Sequence, residues 1–241
     1  MKNLIRAEFF KLKKSTPYKV LFFTYLFTEA AIQVNNIGNS VAYPKYNPTY
    51  TGAEWLQNLH QSLLLYSVVI FCFTAFFVNG DFLRHTFYSG LLCGTSRRGA
   101  FLAKIVAVLS GAVLLMFVPL VTGTVLWSVH AGFGMAWPEA IRPVARAFAI
   151  QLLASLMLVS NAVFFSVIAK SKIGAFLWSF GTLYVLGVLR GNIGHIIKIP
   201  VLRDMLLFVL SLCYLNLGVF LISIVLKLLI SGYLFERCDL K

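Results

Sequence analysis

The stretch I-V-A-V-L-S-G-A-V-L-L-M-F-V-P-L-V-T-G-T-V-L-W-S-V, residues 105–129, contains no charged residue. A helix needs about 20 consecutive, mainly apolar residues to cross the hydrocarbon of a bilayer. This stretch is long enough, and Pro119 within it is expected to kink the helix. The sequence therefore predicts at least one membrane-spanning helix.

The composition of the whole chain extends this prediction. Of its 241 residues, 59% are hydrophobic and only 12% are charged, whereas about 25% are charged in a typical soluble domain. A soluble fold cannot cover so much apolar surface, but a bilayer removes the need to cover it. The formal net charge of +13 fits lysines and arginines that face anionic lipid, so membrane lipid is an expected partner and nucleic acid is not.

The apolar runs and the breaks between them predict an all-α, polytopic membrane protein with one transmembrane domain, residues 1–241. The six predicted spans are about 18–34, 62–79, 105–129, 147–169, 174–189 and 205–230. Residues 190–204 are too short to span and too apolar for an ordinary loop, which predicts a re-entrant hairpin. Residues 80–104 are predicted to form a cytoplasmic segment between the second and third spans.

A basic amphipathic helix is predicted over residues 1–17, lying on the inner membrane surface and ending at Pro17. Its apolar stripe is expected to contain Leu4, Ile5, Phe9 and Leu12. With the N-terminus inside, fifteen of the 21 lysines and arginines fall on the inner side and six on the outer side. Since Lys and Arg concentrate in cytoplasmic segments, both termini are predicted to be cytoplasmic.

The cytoplasmic segment 80–104 is longer than a plain inner loop needs to be. It mixes apolar residues with Arg84, Arg97 and Arg98, which predicts a short amphipathic helix at the cytoplasmic face. Such a helix can present a docking surface to a partner protein. It can also simply anchor the ends of the second and third spans, and the residues alone leave both interpretations open.

Few ionisable groups fall within the predicted spans, where each costs about 2.5–3.5 kcal/mol on insertion scales. Glu29, with Gln33 one turn further along, can line a polar translocation path or reach the outer headgroups. Asn161 and Asn216 can contact a substrate or form hydrogen bonds between helices.

No motif in the chain predicts catalysis. The string Gly94–Ala100 is the nearest to a phosphate-binding loop, but it lacks the Lys and the hydroxyl residue that follows it. The zinc-protease pattern H-E-x-x-H and the nucleophile pattern G-x-S-x-G do not occur. The chain is therefore not expected to be an enzyme or to bind a metal or cofactor directly.

Three strings occur in a defined order along the chain. They are M-K-N-L-I-R-A-E-F-F-K-L-K-K-S at residues 1–15, the loop from Gly80 through G-T-S-R-R at 94–98 to Lys104, and Y-L-F-E-R-C-D-L at 233–240. They resemble the basic first helix, the "G…G-x-S-R…K" loop and the closing "F-x-x-x-D-[IL]" of type-2 ATP-binding-cassette transporter permeases. The resemblance covers nearly the whole chain.

The resemblance implies that a separate ATP-binding cassette ATPase subunit binds ATP and Mg, and that two permease copies, identical or paralogous, work with two ATPases. It implies that the following residues couple the permease to the ATPase: Glu8, Asp81, Arg84, Gly94, Ser96, Arg97 and Arg98. It further implies that the hairpin lies near the outer gate. The possible translocation path, by contrast, is predicted from the residues themselves, because Glu29, Gln33, Asn161 and Asn216 are polar within the predicted spans.

The small size resembles that of permeases that export bacteriocins, lantibiotics or peptide toxins, or confer immunity to them. An amphipathic antimicrobial peptide exported across a bacterial cytoplasmic membrane is therefore the implied substrate, with drug or lipid export also open. The competing interpretation is a polytopic membrane protein that does not transport, such as a sensor or assembly factor. An intramembrane enzyme or a secondary carrier fits the residues less well.

Overall fold

The computed structural model describes residues 2–47, 49–57, 63–83, 96–196 and 217–237. Within these ranges the chain forms helices and no strand, so the all-α class is confirmed for them. The helices are α1 (Lys2–Lys14), α2 (Thr16–Ala42), α3 (Gly52–Gln57), α4 (Leu63–Leu83), α5 (Arg97–Ala131), α6 (Trp137–Ala169), α7 (Lys172–Ile196) and α8 (Leu217–Arg237).

Helices α5 and α6 form the centre of the bundle. Helix α5 packs against α1, α2, α3, α4, α6 and α8, and α6 also packs against α3, α4, α7 and α8. Their contact region contains fully buried apolar side chains from three helices, among them Ile70, Leu115 and Val159. At Gly111 the ring of Phe73 lies so close to α5 that a Cβ atom would overlap it. Glycine at this position therefore permits the tight packing of α4 on α5.

Local sequence signals set the bounds of both central helices. The Ser96 hydroxyl accepts a hydrogen bond from the backbone N–H of Gly99 at 3.2 Å and caps the start of α5. Gly132, at φ 77°, ends α5, and Lys170, at φ 49°, ends α6 in the left-handed region. With 35 residues, α5 is about 52 Å long. This exceeds the hydrocarbon thickness of about 30 Å, so α5 extends beyond the bilayer core.

Two of the described helices, Arg97–Ala131 and Pro138–Ala169, are long and apolar enough to cross a membrane by themselves. Two others contain shorter apolar stretches, Leu65–Gly80 and Ile222–Phe235. The bundle also exposes large apolar side chains along its sides, such as Phe27, which is 72% exposed. An apolar outer surface is what contact with lipid requires. The count of six spans and the placement of the termini stay predictions.

Helix α2 is longer than the span predicted from its apolar run. It continues through Asn35 and Asn36 to Ala42, into the region between the first two predicted spans. Packing explains this extension, because Ser40 is buried and Ile37 packs against a small apolar cluster around Trp55. Helix α3 is held at the same end by backbone hydrogen bonds from the N–H of Gly52 and of Ala53 to α5's C-terminal loop, residues 132–133.

The predicted cytoplasmic segment 80–104 divides between two long helices. Residues 80–83 end α4 and residues 97–104 begin α5, while 84–95 lie outside the described residues. The predicted re-entrant hairpin also begins as regular helix, since α7 continues to Ile196. Residues 197–204 lie outside the described residues.

The buried face of α1 differs from the predicted stripe in one position. Leu12 is buried, and Leu4 and Ile5 are half-buried, as the periodicity indicates. Phe9, however, is 39% exposed, and Glu8 is buried in its place. The cause is an ion pair between Glu8 and α5, which turns the carboxylate inward and the phenylalanine outward.

Candidate functional site

A buried ion pair joins α1 to the beginning of α5. Lys104 Nζ lies 3.2 Å from Glu8 Oε2, and Lys11 Nζ lies 2.6 Å from Glu8 Oε1. Lys104 is only 3% exposed and Glu8 9%. Two buried opposite charges that lose their water must stay paired, because removing either one leaves the other uncompensated. The pair therefore fixes the position of α1 relative to α5.

Two further helices meet α5 at the same end of the bundle. From α4, the ring of Phe77 lies under the Lys104 ammonium, with 4.7 Å between Nζ and the ring centroid. From α8, Phe235 is buried and packs on Phe101 of α5, with 5.1 Å between ring centroids. These contacts would therefore transmit a displacement of the beginning of α5 to α1, α4 and α8 together. We call this group (Glu8, Phe77, Phe101, Lys104 and Phe235) the α5 junction.

Three of the residues predicted to couple to an ATPase lie next to the α5 junction. Ser96 caps α5, and Arg97 and Arg98 are exposed in its first turn. Asp81 belongs to the last turn of α4, and its side chain is not described. Arg84 and Gly94 lie outside the described residues. The structure thus places Glu8, Ser96, Arg97 and Arg98 at one end of the bundle, and their role in coupling stays a prediction.

Glu29 and Gln33 form a buried hydrogen-bond chain at the other half of α2. Gln33 Nε2 donates to Glu29 Oε1 at 2.8 Å, and the indole N–H of Trp127 on α5 donates to Gln33 Oε1 at 3.2 Å. Both polar side chains are 1% exposed. These hydrogen bonds connect α2 to α5, and the two side chains do not line an open passage among the described residues.

An aromatic cluster covers the hydrogen-bonded pair Glu29 and Gln33 at the end of the bundle that contains α3. Trp55 of α3 stacks on Trp127 with ring centroids 6.3 Å apart, and Tyr50 meets Trp127 edge-on at 5.4 Å. The Trp55 indole lies so close to Gly123 of α5 that a Cβ atom there would overlap it. Aromatic pairs in these geometries are stabilising beyond the area that they bury. The cluster closes the bundle above Gln33.

Asn161 lies at a third location, between α6, α7 and α8. Its Nδ2 donates to the Ser179 carbonyl oxygen at 3.4 Å, and Lys227 Nζ donates to its Oδ1 at 3.2 Å. These are hydrogen bonds between helices, one of the two roles that the sequence left open. Asn216, also predicted for the translocation path, lies outside the described residues.

Sequence reasoning missed Lys227 and Lys104 as site residues. Lys227 lies near the end of the last predicted span, and it is half-buried and hydrogen-bonded to Asn161 of α6. Lys104 was quoted only as the end of a motif, yet it is the most buried cation of the α5 junction. A lysine at helical spacing among apolar residues was the available signal in both cases.

The structure therefore places four of the seven predicted coupling residues at one end of the bundle, and it separates the predicted path residues that it describes. Glu29 and Gln33 lie between α2 and α5, whereas Asn161 lies between α6, α7 and α8. A cavity of about 880 Å³ opens elsewhere, between α2 and α4, and none of these residues lines it. Among the residues that the structure describes, no three His, Cys, Asp or Glu side chains are grouped as a metal site requires.

Comparison with known proteins identifies a family. The protein-family model described as ABC-2 family transporter protein matches residues 4–183, which is about three quarters of the chain and includes every member of the α5 junction except Phe235. No curated protein matches the chain, and no solved structure matches it. ABC-2 permeases are membrane components that generally work with an ATP-binding cassette ATPase and are not themselves catalytic. The chain belongs to the ABC-2 transporter family and is a membrane permease of an ABC exporter.

Proposed function

We propose that the chain is the membrane-spanning subunit of an ATP-driven exporter that moves an amphipathic substrate out of a bacterial cell or its membrane. Two permease copies and two ATPase subunits form the working unit, and ATP and Mg bind only to the ATPases. The chain spans the membrane six times with both termini in the cytoplasm. The end with the α5 junction then faces the cytoplasm and meets the ATPase.

The observation that carries this proposal is the buried Glu8–Lys104 pair at the α5 junction. An ATPase that pushes on the segment 80–104 displaces the beginning of α5. The ion pair and the aromatic contacts at the α5 junction transmit that displacement to α1, α4 and α8. Because packed interfaces resist continuous deformation, the helices respond by moving as bodies.

The two exposed arginines at the start of α5 support a docking surface there. The N-terminus of a helix carries a partial positive charge, so a cation in the first turn is unfavourable by about 0.3–1 kcal/mol. Arg97 and Arg98 both occupy that turn. Residues that oppose helix stability at an exposed position fit a role in binding, here to an acidic surface of the ATPase.

The amphipathic nature of the substrate rests on the apolar character of the bundle. The chain contains 22 Phe, 10 Tyr and 4 Trp, which suit contact with an amphipathic cargo. The small size and the family favour an antimicrobial or toxin peptide as cargo. Export of such a peptide predicts that cells carrying the permease with its ATPase tolerate more peptide than cells carrying either subunit alone.

The proposal is tested by co-purifying the tagged permease with the ATPase encoded beside it. The double variant Arg97→Glu/Arg98→Glu reverses the charge of the docking surface, so we expect the ATPase to be lost from the purified complex. The matched control is Arg142→Glu/Arg146→Glu, which reverses two exposed arginines on α6 at the opposite end of the bundle. The control variant should retain the ATPase.

If the ATPase is retained equally by both double variants, Arg97 and Arg98 do not form the docking surface. Failure of wild-type chain to retain any ATPase would favour a membrane protein without transport activity. The folded state of each variant is checked by its elution as a single species in detergent, so that loss of the partner is not confused with unfolding.

A further inference from the structure

The cavity between α2 and α4 is a long groove rather than a closed pocket. Its volume is about 880 Å³, within the range of roughly 300–1,000 Å³ typical of small-molecule sites. It follows α2 from Thr16 to Thr28, about 18 Å, and α4 from Leu65 to Gly80, about 22 Å. Val20 and Phe76 on its rim are 59% and 50% exposed. The groove is therefore open toward the lipid.

Positive charge is concentrated at one end of the groove. Lys11, Lys14 and Lys172 all line that end, and no acidic side chain is among the described residues that line the cavity. Lys11 is bound to Glu8, which leaves Lys14 and Lys172 as the cations that no described carboxylate neutralises. Helix α2 also begins here, at Thr16, and its N-terminus adds partial positive charge. This end of the groove is complementary to a phosphate group.

The remainder of the groove is apolar. Its walls consist mainly of aliphatic and aromatic side chains from α2 and α4: Leu21, Leu65, Val68, Val69, Phe73 and Phe77. Two hydroxyl groups on the wall already have partners, since Tyr18 donates to the Gly111 carbonyl oxygen at 3.0 Å and Thr28 to that of Thr24 at 2.8 Å. A hydrocarbon chain in the groove would leave these two hydrogen bonds intact.

The length of the groove matches one leaflet of the bilayer. Half of the hydrocarbon core is about 15 Å thick, and the apolar part of the groove is slightly longer than that. Its charged end lies where α1 meets α2, at the same end of the bundle as the α5 junction. An extended acyl chain anchored there would follow the groove through the leaflet.

We propose that this groove binds one anionic phospholipid, with its phosphate at Lys14 and Lys172 and an acyl chain between α2 and α4. The lipid is a resident ligand, distinct from the exported cargo, and it fills the space that separates α2 from α4. The lipid is assigned to the cytoplasmic leaflet, and that assignment rests on the orientation given under Proposed function. Lipid binding itself depends on neither the orientation nor an ATPase. If the lipid does not bind, the transport proposal is therefore unaffected.

The test is retention of phosphatidylglycerol by the full-length chain, measured by native mass spectrometry after reconstitution into mixed phosphatidylglycerol and phosphatidylcholine nanodiscs and transfer to detergent. Each basic group near an anionic lipid surface contributes about a fivefold factor. We therefore expect Lys14→Gln/Lys172→Gln to reduce phosphatidylglycerol retention about 30-fold. The matched control is Lys13→Gln/Lys170→Gln, which removes two exposed lysines that lie within two residues of Lys14 and Lys172 in sequence but do not line the groove.

A third variant tests the groove with its charges intact. Cys72 lies half-buried on the wall, and Cys72→Phe fills part of the space for the acyl chain. We expect it to lower phosphatidylglycerol retention while Lys14 and Lys172 are unchanged. Inorganic phosphate at millimolar concentration should not displace the lipid.

Equal loss in the two lysine double variants would overturn the proposal, because it would show only general surface charge. If Cys72→Phe leaves phosphatidylglycerol retention unchanged, the acyl chain does not lie in the groove. Displacement by inorganic phosphate would identify an anion site that does not require a lipid. Equal retention of phosphatidylcholine and phosphatidylglycerol by the wild-type chain would exclude the headgroup contact with the lysines.

Discussion

Replacement of Glu8 by Gln tests whether the buried ion pair holds α1 on α5. The substitution keeps the size of the side chain but leaves the Lys104 ammonium, 3% exposed, without the carboxylate 3.2 Å away. At an effective dielectric constant of about 20, the attraction over that distance is about 5 kcal/mol. Part of it is offset by desolvation, and removal of one partner of a buried pair costs about 3–5 kcal/mol. The Gln oxygen still accepts a hydrogen bond, so we expect a loss near 3 kcal/mol.

The opposite change, Lys104→Met, should cost less. Glu8 then keeps Lys11 at 2.6 Å, so its charge stays compensated and we expect a loss of about 1–2 kcal/mol. The double variant Glu8→Gln/Lys104→Met removes both charges at once. Its loss should fall short of the sum of the single losses by about 2 kcal/mol, since paired residues are not additive.

Reversible unfolding in mixed micelles, followed by circular dichroism, measures these differences in free energy. Glu139→Gln and Lys13→Met are the controls, because both side chains are exposed, and each should change stability by less than about 1 kcal/mol. The account of the α5 junction would be refuted if Glu8→Gln cost no more than Glu139→Gln. It would also be refuted if the single losses added fully in the double variant.

Two further predictions concern the end of the bundle that contains α3. Gly123→Ala should lower the free energy of unfolding by about 1–3 kcal/mol, because a methyl group there overlaps the neighbouring indole ring; Gly38→Ala, in open space, should raise it by about 0.5–1 kcal/mol. Trp127→Phe should cost about 1–3 kcal/mol because it leaves the buried amide oxygen of Gln33 without its indole donor. Trp178→Phe, at a site 64% exposed, should cost less than about 0.5 kcal/mol. The same unfolding assay would contradict either prediction if the variant and its control behaved alike.

The central part of the fold follows from the sequence by hydropathy alone. Residues 105–129 and 147–169 are mainly apolar runs without a charged residue, and both fall within long helices, α5 and α6, that meet the length and composition required of a span. The family could also be identified, because its signals are short strings at the helix bounds rather than contacts between distant residues. The coarse function follows from the family.

Features that depend on tertiary contacts could not be predicted in the same way. The asparagines at 35, 36 and 39 resemble a loop, but packing of Ile37 against the aromatic cluster keeps α2 helical to Ala42. Hydrophobicity assigned Phe9 to the buried stripe of α1, because periodicity cannot foresee that Glu8 finds a cation on α5. In both cases a partner distant in sequence overrides the local preference.

The contacts of polar residues inside the spans are also not predictable from local sequence. Polarity within an apolar run predicts that Glu29, Gln33 and Asn161 line one path. The structure assigns them to two separate helix interfaces, with Trp127 and Lys227 as partners. The assembled bundle determines which helix packs against each face of its neighbours. The periodicity of a single sequence does not show these pairings.

The most direct test of the account is ATP turnover by the partner ATPase, free and in complex with the permease in nanodiscs. We predict that binding of the permease changes the turnover several-fold, and that Arg97→Glu/Arg98→Glu abolishes this change while Arg142→Glu/Arg146→Glu preserves it. Identical turnover of the free ATPase, the wild-type complex and both variants would contradict the claim that this chain is coupled to ATP hydrolysis through the beginning of α5.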